Sequence, residues 1–430
     1  MIYHLASINI SSLPQYSFTY AIPYLLLGVI VCIIGLPWIK GNNKDPFPRK
    51  RLLLIMGLFL CFFGFRWYIF SDTIRYGEIY DFIDIKRSLS ENVSAQPFID
   101  FGYMFVMLWA KKLGVGFHSF IFLNSLVDFT LLYHCIKRYS VNPPLTCLFF
   151  LAFQGILIEA NLLRNFKAIL IFLLSLKYIE EQKLGKYLVC QGLNMTLHVT
   201  SFIFIPLYWV LNRKWNFKLV LSFSLIAAVI YLFAADFVAN ITNSLLGGFI
   251  GGDGKLALLA IYSEGEKEGL LSIGTLERLL FLGMTLYLYR GLPEQKGNVV
   301  IFSNMYIIYF ILFSLFGFNY VFRDRIPLLF IGAYWFLTPI IIERIGKKFR
   351  YLALSIILLA FLKIYASTRI SSAYYETIFF HSTTIEQREI LEELFEMRGK
   401  LEGELERQRF FEGFSMAVKI IFEGLGRDIY

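Results

Sequence analysis

Three arginines of this sequence, Arg164, Arg323 and Arg325, each follow a long apolar run. The distribution of the other basic residues assigns all three to the outer side of a membrane, where lysine and arginine are normally scarce. A charge at such a position is a functional-site hypothesis by default. Guanidinium groups bind phosphate oxygens through paired, charge-assisted hydrogen bonds. The three arginines therefore favour an anionic lipid head group, such as a lipid pyrophosphate, as ligand.

Two residues beside Arg164 extend this candidate site. Arg164 lies in a very short connection, 161–167, between two apolar runs. Lys167 is one helical turn further on and could share a ligand with Arg164, and Asn165 lies between them. The alternative is an arginine at a helix end whose charged head snorkels to the interface. Two cations on the side that should have few favour the functional interpretation.

A second group of polar residues follows the second apolar run and consists of Arg66, Asp72, Arg75 and Tyr76. We expect these residues to shape a sugar-binding site. The alternative is an Arg66–Asp72 ion pair that anchors a helix end among interfacial aromatic residues.

His198 and Tyr320 complete the set of candidate residues. His198 lies inside an apolar stretch, where it is either a satisfied core histidine or a functional group. Its possible functions are to accept a proton from a sugar hydroxyl or to donate a hydrogen bond to phosphate. Tyr320 precedes Arg323 and Arg325 on an aromatic surface. The alternative for these two arginines is a charged turn in which Asp324 neutralises one of them.

The composition places these residues in a membrane protein. Of 430 residues, 57% are hydrophobic and only 17% are charged, whereas soluble proteins carry about a quarter charged residues. Apolar runs long enough to cross a bilayer, or nearly so, are found at 18–39, 52–70, 117–136, 143–162, 165–180, 217–237, 272–290, 299–320, 326–342 and 351–367. The net charge of +9 is assigned to basic cytoplasmic loops that face anionic lipid, and not to nucleic-acid binding.

Several function classes are excluded by missing motifs. The sequence contains no Walker loop, no HExxH and no GxSxG pattern, which excludes nucleotide-driven enzymes, zinc proteases and serine hydrolases of those types. The five cysteines all fall inside apolar runs without metal-binding spacing. No cofactor and no metal site is therefore predicted.

Basic loops predict the topology because lysine and arginine collect on the cytoplasmic side. Clusters lie at 40–51, 137–138, 183–186, 213–218, 290–296 and 344–350. They share one side if 187–211 forms a re-entrant hairpin that turns near 197–200, which places His198 at membrane depth. A plain crossing by 187–211 is the alternative, and it would invert every later loop.

On this topology the N-terminus, 71–116, 163–164, 238–271, 321–325 and the chain from 368 onward lie outside. The segment 97–116 is apolar but contains Lys111 and Lys112, so we expect an interfacial or partly re-entrant helix and not a full span. The sequence thus predicts an all-α, polytopic integral membrane protein with about 10–12 transmembrane helices, a re-entrant helical hairpin and a C-terminal amphipathic helix. Residues 1–382 would form the membrane domain. Residues 383–430 would form a charged helical tail that begins with a Thr384–Gln387 capping box.

The order of these blocks resembles the EpsG family of exopolysaccharide proteins, which is similar to the Wzy polymerases of O-antigen and capsule. The resemblance covers roughly residues 50–345. The matching blocks are Arg66 followed by Ser71-Asp72-Thr73 and Tyr76, the segments 96–98 and 100–103, Arg164-Asn165, Leu197-His198-Val199-Thr200, and Arg323 or Arg325. The departures are the missing Gly-Thr before Asp72, Asn165 in place of glutamine, and Leu197 in place of phenylalanine.

The resemblance implies a polysaccharide polymerase, which is a metal-independent glycosyltransferase at the outer, periplasmic face of the bacterial inner membrane. Its substrate would be an undecaprenyl-pyrophosphate-linked glycan, and its partners would be membrane lipid, a chain-length regulator and a flippase. His198, Arg164, Arg323 and Arg325 would be catalytic. The alternatives are an O-antigen ligase, a single-sugar transferase that uses metal at Asp81 and Asp84, and a lipid-glycan transporter.

Overall fold

Each of the ten predicted spans overlaps a helical segment over the residues that the structure describes, although the helix of the span 52–70 ends at Gly64. The structure is a computed structural model that describes residues 15–39, 46–97, 99–233, 273–292, 297–316, 326–345 and 350–393. Its α-helices are α1 (Phe18–Ile39), α2 (Arg49–Gly64), α3 (Ser71–Phe82), α4 (Leu89–Ala95), α5 (Phe101–Lys112), α6 (Phe117–Tyr139), α7 (Pro143–Phe150), α8 (Ile156–Ala160), α9 (Leu163–Glu180), α10 (Leu184–Leu197), α11 (Leu207–Val210), α12 (Phe217–Phe233), α13 (Ile273–Arg290), α14 (Asn298–Phe316), α15 (Gly332–Ile345) and α16 (Arg350–Thr368).

Length and composition identify five described helices that can cross a bilayer: Phe18–Ile39, Phe117–Tyr139, Pro143–Ala160, Asn298–Phe316 and Tyr351–Thr368. Helices are the natural form of these runs because the bilayer core offers no water to satisfy open backbone groups. The predicted all-α, multi-pass membrane fold is therefore confirmed. Helix α5 is only 12 residues long, too short to span, and leaves Phe101, Phe105 and Trp109 exposed, as an interfacial helix would.

One end of the bundle carries the basic clusters, and we call it the basic end. Here Arg138 lies 2.8 Å from the Glu180 carboxylate, and the Asn212 side chain donates to the carbonyl of Ile179 at 3.4 Å. The ammonium of Lys214 donates to a carbonyl just beyond α13. The basic clusters 137–138, 183–186 and 213–218 thus meet at one end, as the charge pattern predicted.

The segment 184–212 is a hairpin whose two ends both lie at the basic end. Along α10, Gln191 donates to Ser175 at 2.8 Å and Asn194 donates to the carbonyl of Ala168 at 3.2 Å, so α10 runs antiparallel to α9. After α10 the chain returns through a 3-10 helix, Val199–Phe204, to Asn212 beside Ile179. The predicted re-entrant hairpin is confirmed, and the plain crossing is wrong.

The chain after α16 folds back on loop 65–70. This return segment, residues 369–383, pairs with residues 15–17 and 65–70 through backbone hydrogen bonds, including Trp67 N to the carbonyl of Glu376 at 2.8 Å and Phe70 N to the carbonyl of Ser372 at 3.0 Å. The indole of Trp67 also stacks on His381 with ring centroids 3.8 Å apart. The return segment therefore lies at the end opposite the basic end, together with loop 65–70.

A buried ion pair fixes the far end of the return segment. The guanidinium of Arg388 lies 2.6 Å from the Glu376 carboxylate, which also accepts hydrogen bonds from Ser382 and Thr383. Burial acts to raise the pKa of Glu376, but these hydrogen bonds and the Arg388 charge hold the pKa below its ordinary value.

The predicted tail begins as expected. Thr384 N donates to the Gln387 side chain at 3.0 Å and Gln387 N donates to Thr384 Oγ1 at 3.3 Å, which confirms the capping box. A helix follows over 385–393. The remainder of the predicted amphipathic tail lies outside the described residues.

Candidate functional site

The candidate site is built around one carboxylate oxygen at the end opposite the basic end. Asp100 Oδ2 accepts a hydrogen bond from Arg164 Nη1 and lies 3.6 Å from Nδ1 of His198. The Asp100 and Arg164 side chains are only 10% and 13% exposed. Arg164 and His198, separated by 34 positions in the sequence, thus meet at Asp100, which lies in the matching block 100–103 but was not predicted as a site residue.

Tyr76 contacts Arg164, and Thr200 contacts His198, so each of the two residues that form a trio with Asp100 has a second partner. Arg164 Nε donates to the Tyr76 hydroxyl at 2.8 Å, and His198 Nε2 lies 2.6 Å from the Thr200 hydroxyl. A proton on Nδ1, facing the carboxylate, leaves Nε2 as an acceptor. In that arrangement the Thr200 hydroxyl occupies the place where a substrate hydroxyl would donate to the histidine.

Local backbone features bring Asp100 and His198 together. His198 ends α10 with extended backbone, φ −153° and ψ 105°, and Asp100 is the residue before α5. Gly102 permits the approach of the two helices, because a Cβ there would lie 2.6 Å from Thr196 Oγ1 and 2.7 Å from the Thr196 carbonyl oxygen. Only a residue without a side chain fits this contact.

Two further ion pairs lie among the helices around this trio. Arg66, whose side chain is fully buried, lies 3.6 Å from Glu159 and also donates to Ser125 at 3.3 Å. Lys167 lies 2.7 Å from Asp128. Each of these two buried cations is therefore matched by a carboxylate, which is the arrangement a low-dielectric interior requires.

A break between α7 and α8 sets the position of Glu159. The backbone leaves helical geometry at Phe153 and Gln154, and Gln154 has a φ of 64°. At Gly155 a Cβ would lie 2.2 Å from the Phe150 carbonyl oxygen. The Phe153 carbonyl accepts a hydrogen bond from the Trp335 indole at 2.9 Å, so a polar group at the break keeps a partner inside the membrane.

The sequence comparison identifies the family. The model of the EpsG family matches residues 50–383, which is more than half of the chain. The chain belongs to the EpsG family. Membership makes it a polysaccharide-polymerase-type membrane protein. Neither the curated proteins nor the solved structures yielded a match.

In this EpsG-family protein the structure brings three predicted site residues together, namely Arg164, His198 and Tyr76. Asn165 is buried on α9 beside Arg164. Lys167 points to Asp128, and not toward a ligand shared with Arg164.

The predicted site residues Arg66, Asp72 and Arg75, which follow α2, lie in different surroundings. Arg66 pairs with Glu159 instead of Asp72. Asp72 N donates to the Asn161 side chain at 2.7 Å, so Asp72 lies beside the connection that leads to Arg164. Arg75 is exposed. Tyr320, Arg323 and Arg325 lie outside the described residues, so their predicted roles stay predictions.

Sequence reasoning did not select as site candidates the three carboxylates of the EpsG-family protein that pair with cations of the candidate site, Asp100, Asp128 and Glu159. It also did not select Arg278, whose guanidinium lies over the ring of Phe313. Asp128, Glu159 and Arg278 each stand inside an apolar run, and that position alone was a signal. Asp100 gave a weaker signal, since it stands in an exterior segment where a carboxylate is ordinary.

Proposed function

We propose that this EpsG-family protein is a polysaccharide polymerase that joins undecaprenyl-pyrophosphate-linked oligosaccharide repeat units at the outer face of the bacterial inner membrane. The observation that supports it most directly is the Asp100 bridge, which places a guanidinium and an imidazole on one carboxylate oxygen. An enzyme of this kind needs one group for a leaving pyrophosphate and one for an attacking hydroxyl. Arg164 and His198 have the chemistry for these two tasks.

The reaction forms one bond and breaks another. A hydroxyl oxygen of the acceptor glycan attacks the anomeric carbon of the donor sugar, and His198 Nε2 takes the hydroxyl proton. The bond between the anomeric carbon and the pyrophosphate oxygen breaks, and its electron pair leaves with undecaprenyl pyrophosphate. Negative charge grows on that oxygen, so Arg164 stabilises the transition state more than the ground state. The proton on His198 then passes to water.

The distribution of charge supports the outer face as the side on which the reaction takes place. The basic end carries Arg138 and Lys214, which the positive-inside rule assigns to the cytoplasm. The Asp100 bridge lies at the opposite end and would then face the periplasm. This orientation is tested by reacting a membrane-impermeant maleimide with single cysteines at positions 214 and 381 of a cysteine-free variant. We expect labelling of position 381 alone in intact spheroplasts. Labelling of position 214 alone would show the opposite orientation.

The decisive experiment uses purified protein in liposomes with a lipid-linked repeat unit as the only substrate. We expect a ladder of longer lipid-linked glycans in the presence of EDTA, without nucleotide or ion gradient. Movement of the lipid-linked unit across the bilayer without lengthening would instead identify a transporter. Loss of activity in EDTA would point to a metal-dependent transferase.

Variants of Arg164 test the assigned role. We expect Arg164→Ala to lower the rate by about 10- to 150-fold, because a charge-assisted hydrogen bond contributes roughly 1.5–3 kcal/mol. Arg138→Gln, which removes an exposed arginine at the basic end, is the matched control and should retain the wild-type rate. A normal ladder from Arg164→Ala at normal protein level would remove Arg164 from the mechanism.

A further inference from the structure

Arg278, which is partly exposed, differs from four other cations on the described membrane helices. Those four are buried or partly buried, and each lies within ion-pair distance of a carboxylate: Arg66 with Glu159, Arg164 with Asp100, Lys167 with Asp128 and Lys363 with Glu277. Among the described residues, no carboxylate lies within that distance of Arg278. Its sequence neighbour Glu277 is already engaged, 2.6 Å from the Lys363 ammonium.

Aromatic side chains surround the Arg278 guanidinium. The guanidinium carbon lies 3.7 Å from the ring centroid of Phe313, and Nε donates to the Tyr309 hydroxyl at 3.3 Å. Tyr334 packs against Tyr309 with centroids 5.4 Å apart, and Tyr306 donates to the carbonyl of Arg278 at 2.8 Å. We call this group, Arg278 with Tyr306, Tyr309, Phe313 and Tyr334, the Arg278 box.

The box holds the cation without neutralising it. Cation–π contact and a neutral phenol orient a guanidinium but supply no negative charge. The Nη1 atom of Arg278 is buried and has no hydrogen-bond partner among the described residues. A buried donor on a charged group normally has one. An anion delivered by a ligand would provide both the missing charge and the missing acceptor.

The charge balance elsewhere in the molecule gives a reason for a second anion site. Arg164 is paired with Asp100 and Lys167 with Asp128, so beyond the pyrophosphate assigned to Arg164 neither pair offers a cation for a second anion. The proposed reaction also needs two lipid-linked glycans at once, a donor and an acceptor. Each carries its own pyrophosphate, and one arginine–carboxylate pair does not provide for both.

We propose that the Arg278 box binds a phosphate-type anion, and specifically the pyrophosphate of a second lipid-linked glycan. This inference rests on the proposed polymerase function, in which Arg164 receives the first pyrophosphate. The bidentate guanidinium suits phosphate oxygens. An anion that reached the buried Nη1 atom would lie among aromatic rings, where charge is screened less than in water.

The experiment counts bound pyrophosphates. Purified protein in phosphatidylcholine nanodiscs is titrated with farnesyl pyrophosphate, and native mass spectrometry reports the number bound per chain. We expect two in the wild type, one in Arg278→Gln and one in Arg164→Gln. The matched control is Arg369→Gln, which changes an exposed arginine that stacks on Tyr16 and Tyr365 and should still bind two.

One additional variant controls for misfolding, and two competition measurements identify the source of the anion. Arg278→Lys keeps the charge and should bind two farnesyl pyrophosphates, the second at least 10-fold more weakly. Inorganic pyrophosphate should compete at the Arg278 box, whereas replacing phosphatidylcholine with phosphatidylglycerol should not. Displacement by phosphatidylglycerol would show a bulk-lipid site and overturn the proposal.

Other outcomes also decide the question. Two pyrophosphates still bound to Arg278→Gln, or to Arg278→Lys with unchanged affinity, would overturn the Arg278 assignment. One bound to the wild type, lost only in Arg164→Gln, would do the same. A failure of the polymerase function itself would appear separately, as wild-type protein that does not lengthen a lipid-linked repeat.

Discussion

Replacing Asp100 with asparagine keeps the size of the side chain and removes its charge, and it should lower turnover without weakening donor binding. Proton transfer to His198 creates a positive charge 3.6 Å from Asp100 Oδ2. At an effective dielectric constant of about 20, two unit charges at this distance interact by about 4–5 kcal/mol. Arg164 engages the same oxygen, so we take roughly half, about 2 kcal/mol, as the loss. That corresponds to a rate lower by about 30-fold.

The assay separates kcat from KM for the lipid-linked donor. We expect kcat to fall and KM to stay level or decrease, because asparagine releases Arg164 for the pyrophosphate. A structural fault alone would instead raise KM or lower the amount of folded protein.

A double-mutant cycle then tests whether Asp100 acts through His198. If it does, Asp100→Asn adds little to the defect of His198→Gln. Multiplicative effects of the two substitutions would refute the coupling. Full activity in His198→Gln would refute the assignment of the base itself.

Three more predictions concern the packing around the site. Gly102→Ala should cost about 1–3 kcal/mol of stability through overpacking and should reduce turnover by moving Asp100. The control Gly192→Ala, at a glycine with open space around it, should leave stability and turnover nearly unchanged. Thermal unfolding in detergent and the rate assay measure the two effects. Lys167→Met should cost about 3–5 kcal/mol by stranding the Asp128 charge, and adding Asp128→Leu should restore most of the unfolding temperature. The pKa of Glu376 is lowered in the folded protein. Glu376 therefore adds stability that is present above its ordinary pKa of about 4.3 and is lost as pH falls through the lower folded value. The unfolding temperature of a Glu376→Gln variant should lack this decrease at acid pH.

The membrane helices were predictable because each is determined by the length and apolar composition of its own stretch of sequence. A run such as 117–136 has to be helical at this length in a bilayer, and the observed helix, Phe117–Tyr139, extends it by three residues at one end. The hairpin was predictable from charge, since only a return of 187–211 keeps the basic loops together. The break at Phe153–Gln154 was not predictable, because it depends on the close approach of Gly155 to Phe150 and on Trp335 from a distant helix.

The partners within the site were harder to predict than its cations. Arg164 and His198 were recognisable because charge and imidazole are unusual in apolar runs. Their shared partner Asp100 was not, since its role depends on how α5 meets the end of α10. Proximity in sequence suggested Asp72 as the partner of Arg66. The actual partner, Glu159, is 93 residues away and was itself an unusual charge inside an apolar run.

The return segment has a consequence for biosynthesis. Residues 369–383 leave the ribosome only after the last described membrane helix, α16, has been made, yet they supply backbone partners to residues 15–17 and 65–70. Loop 65–70 therefore cannot form these hydrogen bonds, and Trp67 cannot stack on His381, until most of the polypeptide has been synthesised. A nascent chain that stalls before residue 369 would contain every described membrane helix but would lack the segment that covers loop 65–70.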